Sequence, residues 1–219
     1  KFNEVEIMFP QSKWAPKSTL MAAYAYYSQD YYYDTIEELK IFLRKYPKHE
    51  DIDYAHYMMA LAYYEQIVDE KKDLNSIMLS KKKFEYVINS FPETDYALDS
   101  KFKLDLINDV LASKEMYLGR YYFERKKWIP AINRFRKVVD DYNRTIYIEE
   151  ALHRLVEVYY TLGLVDEAEK YANLLGYNYQ SSEWYKKSYS VFNKLYVKNK
   201  AKTDGKKENL IKRKFKSLF

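Results

Sequence analysis

Hydrophobic and polar residues follow the period of an α-helix along most of the chain, and the pattern is clearest over residues 115–143. In each half of this stretch the apolar residues share one helical face at spacings of three and four. Pro130 marks the start of the second half, because proline is tolerated in the first turn of a helix. The stretch therefore predicts two amphipathic helices joined at residues 126–128. The residues on the two faces are Leu118, Gly119, Tyr122 and Phe123, then Ala131, Phe135 and Val138.

The same series recurs elsewhere in the chain. A small residue, then aromatics, then a second small residue match the tetratricopeptide repeat, in which small residues let two helices approach and aromatics fill the gap. Seven positions between Ala23 and Pro47 repeat the series from Gly119 to Asn143 at an offset of 96 residues. A third pair, built around Ala60 and Phe84, carries an insertion near residues 67–78. The chain is thus expected to consist of tandem helix pairs.

These patterns predict an all-α fold, a tetratricopeptide-repeat superhelix of about five helix pairs, the first of them truncated. One continuous helix is expected from Thr94 to Lys126, because this stretch has no proline and one glycine. Residues 1–197 are predicted to form a single solenoid domain, with N-terminal repeats over 1–92 and C-terminal repeats over 93–197. A last helix over residues 182–196 is expected to cap the stack, as the ends of solenoids require.

Composition supports the helical class and excludes several kinds of site. The chain has 4 Gly, 5 Pro and 26 Tyr among 219 residues, which leaves few turn residues for a sheet protein and many aromatics for helix packing. With no Cys there is no disulfide, thiolate metal site or Cys nucleophile. No apolar run approaches the length of a membrane span. The first residues resemble neither a signal peptide nor a natural N-terminus, so the chain is expected to be trimmed.

The C-terminal tail, residues 198–219, differs from the rest of the chain. It has nine Lys and Arg against Asp204 and Glu208, a net charge of +7, whereas the whole chain has +5. Such a segment can bind nucleic acid or anionic headgroups, but a lysine-rich terminus is more often a solubilising extension. We favour the second interpretation and expect no nucleic-acid partner.

No catalytic or metal-binding constellation stands out. The three histidines, His49, His56 and His153, belong to different helix pairs and share no ligand spacing with one another. Acidic residues alternate with lysines in the manner of solvated helix faces. We therefore expect no enzymatic activity, no metal and no cofactor.

A set of residues on the first helices of two pairs predicts a peptide-binding groove. In a helix-pair solenoid these helices line the concave side, at positions that are not expected to serve packing within a pair. Tyrosine offers a large contact area and a hydroxyl at low entropic cost. The alternative is that these rings pack against the neighbouring pair. The set is Leu20, Tyr24, Tyr27, Tyr54, Tyr57, Leu61 and Tyr64.

A second set, Arg120, Arg125 and Arg134 with Trp128, predicts a surface for docking a protein partner. The planar guanidinium is suited to gripping a carboxylate, and a fixed aromatic ring beside it helps to hold it. The alternative is ordinary solvated arginines. Arg134 is expected to be exposed, so that reversing its charge would weaken docking and leave the fold intact.

Three long stretches of the chain are more specific than a general repeat pattern: FPQSKWAPKSTLMAAYAYY (residues 9–27), YPKHEDIDYAHYMMAL (46–61) and LASKEMYLGRYYFERKKWIPAINRF (111–135). They resemble the BamD family of outer-membrane assembly lipoproteins, which belong to the bacterial β-barrel assembly machinery. The insertion in the third pair adds to the resemblance, which covers about residues 9–180. The chain departs from the family in lacking prolines after the last two pairs and in its basic tail.

The resemblance implies a non-enzymatic scaffold at the periplasmic face of the outer membrane, anchored by a lipidated N-terminal Cys that this chain lacks. It implies that the C-terminal repeats dock on the membrane-proximal POTRA domain of a BamA-type barrel-forming partner. Arg125 and Arg134 stand at the family's YY-x-x-R and NR positions, near that surface. The N-terminal repeats are implied to read the aromatic C-terminal signals of nascent outer-membrane proteins. The alternative function is a generic repeat adaptor or co-chaperone that binds peptides.

Overall fold

The structure, a computed structural model, describes residues 1–67 and 74–192, apart from the side chain of Asn3. Throughout these ranges the regular structure is helical, with no strand, which confirms the all-α class. A helical segment over residues 183–192 follows the last complete helix. The helices are α1 (Phe2–Met8), α2 (Ala15–Tyr27), α3 (Tyr32–Lys45), α4 (Ile52–Glu65), α5 (Asn75–Ser90), α6 (Asp95–Glu124), α7 (Trp128–Asp141), α8 (Ile148–Thr161) and α9 (Val165–Asn178).

The helices pair in chain order, as tetratricopeptide repeats do. α2 packs on α3, α4 on α5 and α8 on α9, and consecutive pairs meet through α3 with α4 and α7 with α8. α1 packs on α2 and has no first helix of its own in the chain. The predicted five pairs, the first incomplete, are therefore confirmed.

The chain divides between Lys114 and Glu115 into two compact units, unit 1 and unit 2. The division falls within α6, a single helix of 30 residues, so the continuous helix predicted there is confirmed. At its start the Thr94 hydroxyl accepts a hydrogen bond from the Ala97 amide at 3.2 Å, which supplies an N-cap. The single-domain organisation predicted for residues 1–197 stays a prediction, and the tail lies outside the described residues.

The core of unit 1 is built by α2, α3 and α4. Its members are almost fully buried, and small residues at the helix contacts allow close approach. In the next pair the buried Ser80 hydroxyl donates to the Ala60 carbonyl at 3.0 Å, which joins α5 directly to the backbone of α4. The buried cluster of the first three helices is Leu20, Ala23, Ile36, Leu39, Phe42, Ala55, Met58, Met59 and Ala62.

Unit 2 shows why its first pair needs a glycine. A Cβ at Gly119 on α6 would lie 2.4 Å from Cε1 of Phe135, which is fully buried on α7. The absence of a side chain therefore lets the ring pack directly on the helix backbone. Further along, Trp184 and Tyr185 from the helical segment 183–192 pack against Leu152 and Leu175.

The corners of three helix pairs share one backbone conformation. Asp30, Lys126 and Gly163 all have a positive φ, of 63°, 58° and 79°, and they occupy the same position of the repeat at offsets of 96 and 37. The left-handed conformation costs little for Gly and for Asp, and more for Lys. The corner geometry is thus a property of the repeat, kept where the residue does not favour it.

Candidate partner-docking surfaces

In unit 1 two predicted groove tyrosines of α4, Tyr54 and Tyr57, pack at tilted angles against a tyrosine of α6. The ring of Tyr96 lies 5.5 Å from that of Tyr54 and 5.2 Å from that of Tyr57, and the Tyr57 hydroxyl donates to Asp99 Oδ2 at 2.5 Å. Burial raises the pKa of Tyr54 to about 12. Burial and the bond to Asp99 raise the pKa of the Tyr57 hydroxyl as well. Both hydroxyls therefore stay protonated, and Tyr57 is held by a neighbouring helix.

Two turns further along α4 from Tyr57, Tyr64 is also engaged. Its ring meets the buried ring of Phe84 edge-on at 6.4 Å, and the Lys103 ammonium lies 5.0 Å from its centroid. Tyr27 on α2 makes an edge contact with Tyr32 at 5.7 Å, across the corner of its own pair. These rings do serve packing within their pairs, so the expectation that the groove positions are free of such packing is wrong.

The structure also corrects one member of the groove. Leu20 is 5% exposed and cannot line an open groove, because its side chain belongs to the buried cluster that α2 shares with α3 and α4. Tyr24, by contrast, is 49% exposed, and Leu61 is half-buried. Peptide binding by the remaining residues stays a prediction, with Tyr24 as the most accessible ring of the set.

In unit 2 the predicted docking arginines have intramolecular partners. Arg120 on α6 grips Glu150 on α8 with Nε at 2.8 Å and Nη2 at 2.7 Å. Burial alone would raise the pKa of Glu150, but the hydrogen bond and charge of Arg120 outweigh it and hold that pKa below its usual value. Glu150 also lies 3.4 Å from Arg154, which binds Glu157 at 2.8 Å. Arg120 thus joins α6 to α8 through a chain of ion pairs.

Arg134 on α7 is paired with a buried carboxylate. Glu115, only 8% exposed, accepts hydrogen bonds from Arg134 Nη1 and Lys137 Nζ, each at 2.9 Å. Burial would raise the pKa of Glu115, but the two cations outweigh it and lower that pKa. The expectation that Arg134 is exposed is therefore wrong: the residue is half-buried and ion-paired, because its position on α7 faces the end of α6 that carries Glu115.

Arg125 and Trp128 complete the predicted set at the α6–α7 corner. The Arg125 guanidinium lies 3.7 Å from the ring centroid of Tyr121, and among the described residues it makes no ion pair. Trp128 meets Phe123 edge-on at 5.6 Å, and the Arg154 guanidinium lies 5.4 Å from the Phe123 ring centroid. Arg125 is exposed and Trp128 half-buried, so both present atoms to solvent.

Sequence reasoning missed the acids that organise this surface. Glu115 lies four residues before Gly119, on the packing face of α6, and a carboxylate on a packing face is a signal for a buried partner cation. Glu150 lies in the first turn of α8, where acidic residues are common for reasons of helix dipole alone. Glu115 could have been found from its position in the pattern, whereas Glu150 could not.

The histidines do not form one site. His49 shares a cluster with Glu50 and Asp51, whose possible ligand atoms lie within 4.8 Å of one another, but its Nδ1 already accepts the Asp51 amide at 3.2 Å. His56 packs against Tyr86 at 4.5 Å, and burial lowers its pKa to about 4. His153 is buried with its Nδ1 2.8 Å from the Ser188 hydroxyl. Each is explained by local packing.

Over the part of the chain that the structure describes, every helix is too short or too polar to cross a bilayer.

Comparisons with known proteins agree on one family. A family model named YfiO and described as outer membrane lipoprotein matches residues 1–174. The outer membrane protein assembly factor BamD of Rickettsia prowazekii is 45% identical over 191 residues, which cover 87% of this chain and 76% of that protein. The BamD of Caulobacter vibrioides is 38% identical over 88% of this chain and 63% of its own length. The BamD of Neisseria meningitidis serogroup A is 30% identical over 81% and 70%.

Among solved structures, the crystal structure of MamA matches with a TM-score of 0.39 at 17% identity, over 90% of this chain and 87% of that one. A likeness at this level assigns no function.

Proposed function

Because the chain belongs to the YfiO family of outer membrane lipoproteins, we propose that it acts in outer-membrane protein assembly as a scaffold of the Bam complex. The observation that supports this most strongly is the 45% identity to an assembly factor over most of the chain. The family model matches residues 1–174, a range that includes both of the surfaces described above. The work of such a scaffold is binding, and it needs no catalytic residue.

Unit 2 is the proposed docking surface for the barrel-forming partner, a BamA-type protein with a membrane-proximal POTRA domain. It presents Arg125 on an aromatic platform and Arg134 on a buried acid, beside the half-buried Trp128. Aromatic residues and Arg are the types that dominate binding energy at protein interfaces. Their fixed positions reduce the rotamer entropy that binding would otherwise remove. An acidic patch on the partner is the complementary surface.

Unit 1 is the proposed site for the aromatic C-terminal segment of a nascent outer-membrane protein. Tyr24 offers an accessible ring, while the rings of Tyr54 and Tyr57, both packed against Tyr96, form a rigid floor. Rigid aromatic groups give a large contact area without ordering on binding. In this proposal the buried Leu20 supports the helix and does not touch the peptide.

The proposed location is the periplasmic face of the outer membrane, with an N-terminal lipid as the anchor. No nucleic acid and no enzymatic substrate are part of the proposal. The alternative, a general peptide-binding adaptor, would use the same tyrosines with a different partner in place of the barrel protein.

Immunoprecipitation from detergent-solubilised outer membranes tests the proposal. A tagged copy of the protein, expressed in its own host, should recover the BamA-type protein as the major partner. Washing the sample at high salt should remove part of the bound BamA-type protein, because salt screens the charge interactions of the docking arginines. Recovery of other periplasmic proteins without the BamA-type protein would favour the adaptor and contradict the scaffold.

A further inference from the structure

Glu115 is an acid in an unusual place, buried on α6 and bound by two residues of α7. Arg134 and Lys137 stand three residues apart on α7, so both side chains lie on one helical face. Each donates to a different oxygen of the Glu115 carboxylate, Arg134 to Oε2 and Lys137 to Oε1. Two cations share one anion, and the three groups together carry a net charge of +1.

Arg120 and Arg134, the two arginines of the predicted docking set that bind acids, do so differently. Arg120 places Nε and Nη2 on both oxygens of Glu150, which occupies the side edge of its guanidinium. Arg134 donates to Glu115 through Nη1 alone, among the hydrogen bonds of the described residues. Its Nε and Nη2 edge is therefore available, and the Arg134 side chain is 39% exposed. A guanidinium edge of this kind matches a carboxylate with two parallel hydrogen bonds.

We propose that Glu115 is a positioning residue for partner docking: it fixes Arg134 through Nη1 so that the free Nε–Nη2 edge faces a carboxylate side chain of the partner. This inference rests on the proposed docking function of unit 2. It distinguishes the arginines, assigning Arg134 to the partner and Arg120 to the contact between α6 and α8.

Charge and rigidity both support this role. A partner carboxylate brings the net charge of the cluster from +1 to zero. The cost of removing that carboxylate from water is compensated by a cation that the protein has already placed. Because Arg134 is held before docking, less side-chain freedom is lost on binding. Lys137 keeps the Glu115 carboxylate compensated while Arg134 engages both acids.

The test is titration of the soluble periplasmic domains of the BamA-type partner with the full chain and four variants. These are Arg134→Gln, Glu115→Gln, the double variant, and Glu157→Gln as a matched control. Glu157 also binds an arginine Nη1, that of Arg154, at 2.8 Å in the same unit. Each variant is checked for helicity and melting temperature, and binding is measured well below the melting transition.

The expected pattern is non-additive. Arg134→Gln should weaken binding about tenfold or more, since charge-assisted hydrogen bonds are lost. Glu115→Gln should weaken it roughly three- to tenfold, and the double variant should bind as Arg134→Gln does, because Glu115 acts through Arg134. Glu157→Gln should bind within about twofold of the natural chain, because the arginine that Glu157 holds, Arg154, is not one of the proposed docking residues.

The outcomes separate this inference from the docking proposal. If Arg134→Gln weakens binding and Glu115→Gln binds as tightly as the natural chain, or more tightly, the positioning role is wrong and docking through Arg134 stands. If Glu115→Gln weakens binding by the same factor in the natural chain and in the Arg134→Gln variant, Glu115 acts on the fold alone and the positioning role is wrong. Natural affinity in Arg134→Gln, or no binding by the natural chain, would overturn the docking surface and the positioning role together.

Discussion

The two units hold their candidate binding residues in different ways. In unit 1 the candidate residues are neutral aromatic rings held mainly by contacts with other rings. Tyr57, for example, packs against Tyr96 and donates a hydrogen bond from its hydroxyl to Asp99. In unit 2 they are cations held by buried or half-buried acids, Glu115 and Glu150. The first arrangement suits an apolar, aromatic segment, and the second suits a partner with carboxylates.

The comparison shows that an internal contact made by a candidate binding residue can be interpreted in two ways. For Tyr57 the contact occupies the hydroxyl and one ring face, so stability depends on it. For Arg134 the contact uses one nitrogen and leaves the rest of the guanidinium available. The same observation, a side chain with an internal partner, thus argues for packing in unit 1 and for pre-organisation in unit 2.

The largest effect is expected from separating packing and binding tyrosines in unit 1. Tyr57→Ala should cost about 2–4 kcal/mol of stability, because it removes a half-buried ring and leaves Asp99 without its donor. Tyr24→Ala should change stability by less than about 0.5 kcal/mol, as surface substitutions usually do, and should weaken binding of a peptide ending in Phe by about 1–2 kcal/mol. Urea unfolding and peptide titration measure the two effects. A binding loss confined to Tyr57→Ala would remove Tyr24 from the groove.

A smaller effect is expected where equivalent positions of the units differ. The repeat position occupied by Gly119 with Phe135 in unit 2 is occupied by Ala23 with Leu39 in unit 1. Gly119→Ala should destabilise the protein by about 1–3 kcal/mol, since its Cβ would overlap the Phe135 ring.

The double variant Gly119→Ala with Phe135→Leu recreates the unit 1 pair and should recover part of that loss. Thermal melts of the single and double variants decide this. If the single variant is as stable as the natural chain, the ring has room to move and the close approach is not a constraint.

The corner residues predict a gain of stability. Lys126→Gly should stabilise the protein by about 0.5–1 kcal/mol, because it relieves a left-handed backbone at a residue that disfavours it. Lys127→Gly, one residue later with a negative φ of −88°, is the matched control and should bring no gain. Chemical unfolding compares the two. Equal effects from both substitutions would rule out the backbone explanation.

The smallest effect is a difference in pH response. The pKa values of Glu115 and Glu150 are lowered in the folded state. Their contribution to folding stability is therefore present at pH above the unfolded-state pKa of about 4.3, and it is lost as pH falls below that value. Tyrosines whose pKa is raised in the folded state contribute to stability at pH below about 10, and this contribution is lost as pH rises further. They are concentrated in unit 1: Tyr27, Tyr32, Tyr54, Tyr57, Tyr64 and Tyr96, against Tyr142 and Tyr171 in unit 2.

Hydrogen exchange measured peptide by peptide should therefore show unit 2 opening first in acid and unit 1 opening first in alkali. The range below the ordinary histidine pKa of about 6.5 does not separate them, because burial lowers the pKa of a histidine in each unit, His56 and His153. Both destabilise as pH falls through that range. Simultaneous opening of the units in alkali would contradict the assignment of the tyrosine effect to unit 1.

The sequence predicted the helices well and the contacts of the binding residues poorly, for a physical reason. Helix bounds follow local spacing, prolines and repeat offsets, so α6 and α7 could be drawn from residues 94–143 alone. An ion pair depends on which helices meet: Arg120 and Glu150 are 30 residues apart, and Arg134 and Glu115 are 19 apart. Leu20 was misplaced because the period identifies a helical face and not the neighbour that covers it.

Site-specific crosslinking tests the division of roles between the units most directly. The chain has no Cys, so Met21→Cys on the exposed face of α2 or Glu124→Cys beside Arg125 can each carry a single benzophenone label. Each labelled protein is irradiated with the soluble periplasmic domains of the BamA-type partner or with a peptide ending in Phe. The account predicts that the domains crosslink to residue 124 and the peptide to residue 21. The peptide at residue 124, or the domains at residue 21, would contradict it.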